Sequence, residues 1–157
     1  MDVNTEAVLY SKNADTQLYP ASITKILTTL LACENLNAKT NITVSEKAST
    51  SVTAGDSSIY AAPGEKFTRD QALMAVMLQS ANEMSVAVAE EVSGSVKKFA
   101  ELMNWRAKLF GCKNTHFNNP NGLPDENHYT TASDIAKIAK SAWLNPLFRR
   151  YCTKRYY

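Results

Sequence analysis

From Ser22 to Asn35 the chain reads SITKILTTLLACEN, a helical pattern with Ile23, Ile26, Leu27, Leu30 and Leu31 on nearly every side. A helix that is apolar all round offers no face to water, so it must run through the middle of a domain with other elements packed around it. Lys25 breaks the pattern. It lies three positions after Ser22, just past Pro20, inside a stretch otherwise built for burial.

The remaining sequence has to supply the cover. At 157 residues the chain fits one domain and is long enough to bury a core. Glu6 to Ser11 (EAVLYS) reads as a strand followed by a polar turn, and Asn41 to Ser45 (NITVS) as a second, short one. Glu46 to Lys66 is rich in Ser, Thr, Ala and Gly and reads as turns. Thr68, with Gln71 three residues on, forms a capping box that opens the helix RDQALMAVMLQ. SANEMSVAVAEEVSG follows as a second helix that stops at Gly94. Ser95 caps a third, amphipathic helix that ends at Gly111. Lys113 to Thr130 carries five asparagines, two prolines and a glycine, which marks a long ordered loop. A last clear helix spans about Thr131 to Trp143, with NPLFRRYC as one further short turn. The expected fold is therefore helix-rich α+β with an underpopulated sheet.

Composition excludes several classes. Hydrophobic residues make up 45% and charged residues 20%, as in an ordinary soluble globular protein. A formal net charge of +2 gives no push toward nucleic acid or anionic membrane. Cys33, Cys112 and Cys152 show no C-x-x-C spacing, and Cys33 is expected to be a buried, inert thiol. No apolar run reaches the roughly 18 residues of a membrane span, no signal peptide opens the chain, and its N-terminus looks cut. His116 and His128 share the Asn-rich loop with Asp125 and Glu126 but read as ordinary loop residues, not metal ligands. Trp105 and Trp143 are expected in or at the edge of the core. The basic tail RRYCTKRYY reads as a segment leading into a sheet.

The chemistry starts at Ser22. A serine is a poor nucleophile until a nearby base takes its proton, and residues three apart on a helix are neighbours, so Lys25 reaches the Ser22 hydroxyl. At a helix N-terminus the unpaired backbone N–H of Ser22 and the helix dipole both favour a developing oxyanion. Desolvation lowers the proton affinity of a lysine toward the neutral form that acts as a base. Two S-x-x-K sequences occur; the other, Ser95 to Lys98, is an N-cap followed by solvated lysines. A second polar element, Ser80-Ala81-Asn82, lies between two apolar helices and is placed to present a hydroxyl and an amide to a cleft. Taken alone, it also fits a capped helix-helix turn.

Together, S-x-x-K followed by S-x-N resembles the signature of penicillin-recognising serine enzymes, whose third element is K-T-G. LYSKNADTQLYPASITKILT, APGEKFT, LMAVMLQSANEMSVAVAE, FAELMN, LFGCKNTHFNNPNGL and YTTASDIAKIA extend the resemblance along nearly the whole chain. The family it resembles is that of the D-alanyl-D-alanine carboxypeptidases, the low-molecular-weight, serine-type (S11 peptidase-like) penicillin-binding proteins that trim peptidoglycan. The resemblance implies a β-lactamase/transpeptidase-like fold, here mainly its helical part with an incomplete antiparallel sheet. It implies Ser22 as nucleophile, Lys25 as general base, Ser80 as proton relay to the leaving group, and Asn82 as the group that binds the substrate amide and helps hold Lys25. The substrate implied is a peptidoglycan stem peptide ending in D-Ala-D-Ala, and β-lactams are implied as acylating mimics. No metal or organic cofactor and no nucleic acid is expected, and the implied location is extracytoplasmic, facing the cell wall.

One element of the pattern is missing. No K-T-G occurs in the chain, so residues 1–157 are expected to be a partial catalytic domain without the K-T-G strand and the C-terminal anchoring segment, and weak or inactive alone. Sheet-facing apolar surface on the Ser22 helix is then expected to be exposed, or covered in a homodimer or swapped assembly, which a monomer in light scattering would exclude. A class A β-lactamase is the alternative in the same fold. Its Glu-x-Glu-Leu-Asn element has only the ill-spaced Glu101-Leu102-Met103-Asn104 as a counterpart. A catalytically dead relative that binds peptidoglycan or a protein partner is the third reading.

Overall fold

In the computed structural model, which describes residues 1–154, the Ser22 segment enters through a 3₁₀ turn, Ala21–Thr24, and continues as helix α1, Lys25–Asn35. As its apolar sides require, α1 is packed by other elements all round. Leu27, Leu30 and Leu31, each 1% exposed, face Phe99, Met103, Phe117, Ile138 and Phe148. Ala32 joins a second cluster with Ile42, Leu73, Val76, Met84, Val88 and Tyr151. Cys33 packs between the two. Full burial of one leucine is worth about 1.5–3 kcal/mol, so the three leucines make α1 a major contributor to the core.

Around it stand β1 (Asn41–Thr43), α2 (Glu46–Ser49), β2 (Lys66–Thr68), α3 (Arg69–Leu78), α4 (Asn82–Ser93), α5 (Val96–Leu109), α6 (Ala132–Leu144) and α7 (Pro146–Cys152). β1 and β2 pair antiparallel with Ile42 opposite Phe67, the one sheet among the described residues. The helix boundaries follow from their caps. Thr68 and Gln71 form the reciprocal box at α3, Ser95 accepts from the Lys98 N–H at α5, and Thr131 accepts from Asp134 at α6. Gly94 closes α4 in the left-handed conformation, with φ 74°. Asn145 caps α7 through Leu147 and Phe148, with Pro146 in the first turn. Residues 113–130 form the long loop, stitched by bridges from His116 to Tyr129 and from Leu18 to Thr130.

Several expectations need correction. Glu6–Ser11 forms no strand: no strand pairs with it among the described residues, and Val8, Leu9 and Tyr10 are exposed. A strand needs a neighbour to satisfy its backbone, and sequence pattern alone does not provide one. Ser22 sits in the 3₁₀ turn, one step before the α-helix proper. The 46–66 stretch contains the short helix α2. Exposed apolar residues include Val8, Leu9, Tyr10, Leu18, Tyr19 and Tyr60; in the Ser22 turn Ile23 is exposed, and the α1 leucines are buried. Trp105, 55% exposed, and Trp143 lie on the surface. Cys33 is half-buried, and burial pushes its thiol up to about 12, which leaves it inert. Residues 155–157 of the basic tail lie outside the described residues, and Arg149 and Arg150 belong to α7.

Phe99 and Trp105 separate burial from size. In urea unfolding, Phe99→Ala is expected to lose about 3–5 kcal/mol of stability, and Trp105→Ala less than about 1 kcal/mol.

Candidate active site

The turn before α1 and the turn between α3 and α4 meet at the amine of Lys25. Lys25 Nζ lies 2.9 Å from Ser22 Oγ, 3.1 Å from Ser80 Oγ, 2.6 Å from Asn82 Oδ1 and 2.9 Å from the Asn121 carbonyl oxygen. Four oxygens surround a group that, as ammonium, has three hydrogens. The amide oxygen of Asn82 and the carbonyl of Asn121 can only accept. A neutral amine satisfies the arrangement by donating to these two and presenting its single lone pair to the Ser22 hydroxyl, whose oxygen in turn accepts from Ser80. Ser80 Oγ lies 3.0 Å from Ser22 Oγ, so a Ser80–Ser22–Lys25 hydrogen-bond relay is in place.

Burial makes the neutral form accessible. Lys25 is 3% exposed, and desolvation pushes its amine down to about 8, while the charges of Asp56 and Glu83 pull in the opposite direction. Ser22, by contrast, is exposed, so its oxygen is open to a substrate. The Ser22 backbone N–H has no hydrogen-bond acceptor among the described residues, as an oxyanion donor requires.

Local backbone geometry aims these side chains. Ala21 has φ 48° and Ser80 has φ 55°, left-handed positions that non-glycine residues seldom adopt. Both flank the meeting point, and surrounding contacts hold them there. Asn82 opens α4 and donates its N–H to the Ser57 carbonyl at 2.9 Å.

The Asn-rich loop completes the site from the other side. Thr28 Oγ1 donates to the Pro120 carbonyl at 2.6 Å, next to the Asn121 carbonyl that faces Lys25. Gly122, with φ 88°, passes so close to the nucleophile turn that a Cβ would stand 1.8 Å from the Ala21 oxygen. Only glycine fits. His128, 1% exposed, packs edge-on against Phe117 and locks the loop to the turn. Its Nδ1 accepts from the Asn118 N–H at 3.0 Å, so Nε2 carries the hydrogen and donates to Thr24 Oγ1 at 2.8 Å.

The four residues singled out from the sequence, Ser22, Lys25, Ser80 and Asn82, are thus brought into one hydrogen-bonded cluster. Sequence reasoning missed Thr24, Asn121, Gly122, His128 and Glu83. Asn121 acts through its backbone, which leaves no signal in residue type, and Gly122 was indistinguishable from a turn glycine. His128 carries no sequence signal beyond that of a loop histidine, because its partner Thr24 lies 104 residues away. Among the described residues no three His, Cys, Asp or Glu side chains come together as a metal cluster. No helix among them is long and apolar enough to cross a membrane.

Comparison with known proteins places the chain in a family. The sequence profile of the family Peptidase_S11, D-alanyl-D-alanine carboxypeptidase, matches residues 1–156. The D-alanyl-D-alanine carboxypeptidase DacF of Bacillus subtilis is 46% identical over 140 residues, an overlap covering 87% of this chain and 36% of DacF. DacA of Escherichia coli is 33% identical over 149 residues, covering 90% of this chain and 37% of DacA. Among solved structures, the Streptomyces K15 DD-transpeptidase superposes with a TM-score of 0.90 at 34% identity, covering 96% of this chain and 61% of that one. The carboxypeptidase DacD of Francisella tularensis gives 0.89 at 35% identity, covering 97% and 38%. The chain therefore spans little more than a third of the length of either curated relative.

His128 makes stability depend on pH. Burial pushes its imidazole down to about 4, below the ordinary value of 6.5. Between those two values the unfolded chain binds a proton that the folded chain refuses, so stability falls as pH drops from about 6.5 to about 4 and is fully present above 6.5. The contribution lost is about 3 kcal/mol. Urea unfolding at a series of pH values is expected to show it, and a His128→Gln chain, less stable at pH 7, is expected to show a flatter profile across this window. An unchanged slope in the variant would remove His128 as the source.

Proposed function

We infer the function from one premise: the chain belongs to the D-alanyl-D-alanine carboxypeptidase family. Residues 1–157 form part of the catalytic domain of a serine-type D-Ala-D-Ala carboxypeptidase that acts on peptidoglycan stem peptides outside the cytoplasm and is acylated by β-lactams. The observation that carries this reading is the 2.9 Å contact between the buried Lys25 amine and the exposed-side Ser22 hydroxyl.

In this reaction neutral Lys25 takes the Ser22 proton as Oγ attacks the carbonyl carbon of the penultimate D-alanine. The Ser22 N–H receives the developing oxyanion. As the C–N bond breaks, Ser80 hands a proton to the departing D-alanine nitrogen and is reprotonated from Lys25, 3.1 Å away. Asn82 binds the substrate's peptide amide while its Oδ1 keeps Lys25 in place. Water, deprotonated by the same lysine, then hydrolyses the ester and frees Ser22. With a β-lactam the ring C–N bond is the one that breaks, and the nitrogen that takes the proton stays tethered.

One observation weighs against the β-lactamase alternative. Glu101 is exposed on α5, and Asn104 spends its amide on the backbone of Phe117, with both bonds at 2.8 Å. Neither is poised to activate a deacylating water at Ser22. The chain contains no Lys-Thr-Gly, the element implied to sit beside the second oxyanion donor, and loss of one such donor slows acylation by about 10²–10³-fold.

Incubation of the folded chain with benzylpenicillin, followed by intact mass measurement, is expected to show slow gain of one penicillin mass that Ser22→Ala abolishes. An adduct that persists in Ser22→Ala would overturn the assignment of Ser22, and absence of any adduct after prolonged incubation of a folded chain would overturn the expectation that residues 1–157 retain acylation.

A further inference from the structure

Two buried hydroxyls on the nucleophile segment are spent on the Asn-rich loop. Thr24, the cap of α1, and Thr28, in its first turn, are both 0% exposed and lie four residues apart, so they share one side of the segment that carries Lys25. Thr24 Oγ1 accepts from His128 Nε2 at 2.8 Å, and Thr28 Oγ1 donates to the Pro120 carbonyl at 2.6 Å. Asn121, next to Pro120, brings its own carbonyl to 2.9 Å from Lys25 Nζ. Bonds inside the loop keep that carbonyl in register with the two fastenings. His128 Nδ1 accepts from the Asn118 N–H at 3.0 Å, Asn119 Oδ1 accepts from the Gly122 N–H at 2.7 Å, and Asn119 Nδ2 donates to the Leu123 carbonyl at 2.9 Å.

What these contacts control is the direction of the amine. A neutral lysine amine has two hydrogens and one lone pair, and it turns about its last bond unless the hydrogens are held. Asn82 Oδ1 and the Asn121 carbonyl can only accept, so together they hold both hydrogens and leave the lone pair to Ser22. Without the Asn121 carbonyl, Asn82 is the only strict acceptor left among the oxygens at the amine. The Ser22 and Ser80 hydroxyls then compete for the second hydrogen, and the lone pair faces Ser22 only part of the time.

We propose that His128, Thr24 and Thr28 are positioning residues for acylation: they dock the 118–128 loop so that the Asn121 carbonyl fixes the Lys25 amine with its lone pair on Ser22. The proposal rests on the reading of Lys25 as the base. At 1% exposure or less, none of the three reaches the substrate. They act on the step in which the bond to Ser22 forms and leave the preceding noncovalent binding alone.

Thr24→Val and Thr28→Val each replace a hydroxyl by a methyl of similar size, and together they release both fastenings. His128→Phe keeps a ring without its nitrogens. Crystal structures of the variant chains give the distance from the Asn121 oxygen to Lys25 Nζ. Saturation kinetics with benzylpenicillin give the acylation rate constant and the noncovalent dissociation constant separately. With both threonines replaced, the carbonyl is expected beyond about 3.5 Å from the amine. Acylation is expected to be about tenfold slower or more, with the dissociation constant changed less than about twofold. Thr24→Val combined with His128→Phe is expected to be no slower than the slower of the two alone, because both break the same bond. Thr68→Ala, a lost cap at the end of α3 remote from Ser80, is expected to keep the wild-type rate, which separates positioning from stability. A carbonyl that stays on the amine when both threonines are replaced overturns the proposal. So does one that leaves without slowing acylation, or a loss that falls on binding. Should the doubly substituted chain fail to fold, the single variants decide by the same two readouts. A wild-type chain that never forms an adduct defeats the enzymatic reading, and the distance from Asn121 to Lys25 in the variants still upholds or overturns the docking.

Discussion

The amine of Lys25 is the point on which the rest of the structure depends. Placing a lysine at 3% exposure inside an apolar helix is expensive, and an unpaired buried charge would cost several kcal/mol. The fold meets that cost in two ways. It surrounds Nζ with four oxygens from three separate parts of the chain, and it lowers the amine's proton affinity so that the charge can be shed. What looks like a defect in α1 is therefore the feature that the turn at Ser80, the start of α4 and the Asn-rich loop are all arranged to serve.

The arrangement uses strain that isolated segments could not hold. Ala21 and Ser80 both sit at positive φ, at a cost of order 1–3 kcal/mol each. Tertiary contacts fix them: Gly122 presses on Ala21, His128 holds Thr24 and Pro120 receives Thr28 on one side, while the Ser80 hydroxyl is held by Lys25 and Ser22 on the other. These links make the loop a structural part of the nucleophile turn and not a cover laid over it. They also rest on two independent cores meeting along α1, so a packing loss on either side reaches the site through the same helix.

Much of this was legible in the chain. The apolar run at Ile26 to Leu31 required a central helix, the capping residues Thr68, Ser95 and Thr131 marked three helix starts, and Ser22, Lys25, Ser80 and Asn82 stood out by spacing and by resemblance. What stayed hidden acts through backbone or through distant pairing. The Asn121 carbonyl has no residue-type signature, the 3₁₀ entry at Ala21–Thr24 looks like a helix in sequence, and the oxygen of Glu83 is known to be unpartnered only once its surroundings are in place. The 6–11 segment shows the converse, a good strand pattern without a pairing strand among the described residues. Trp105 and Trp143 show that an aromatic on an amphipathic helix can belong to the outer face.

The most direct test of the central claim, that Lys25 works as a neutral base on Ser22, is the pH dependence of the rate at which a penicillin acylates the chain. If Lys25 must lose its proton first, the rate should climb about tenfold per pH unit at low pH and level off with a midpoint near 8. A rate that is flat from pH 6 to pH 10, or that falls across the same range, would show that the Ser22 proton goes elsewhere and that the buried lysine only holds the turn together.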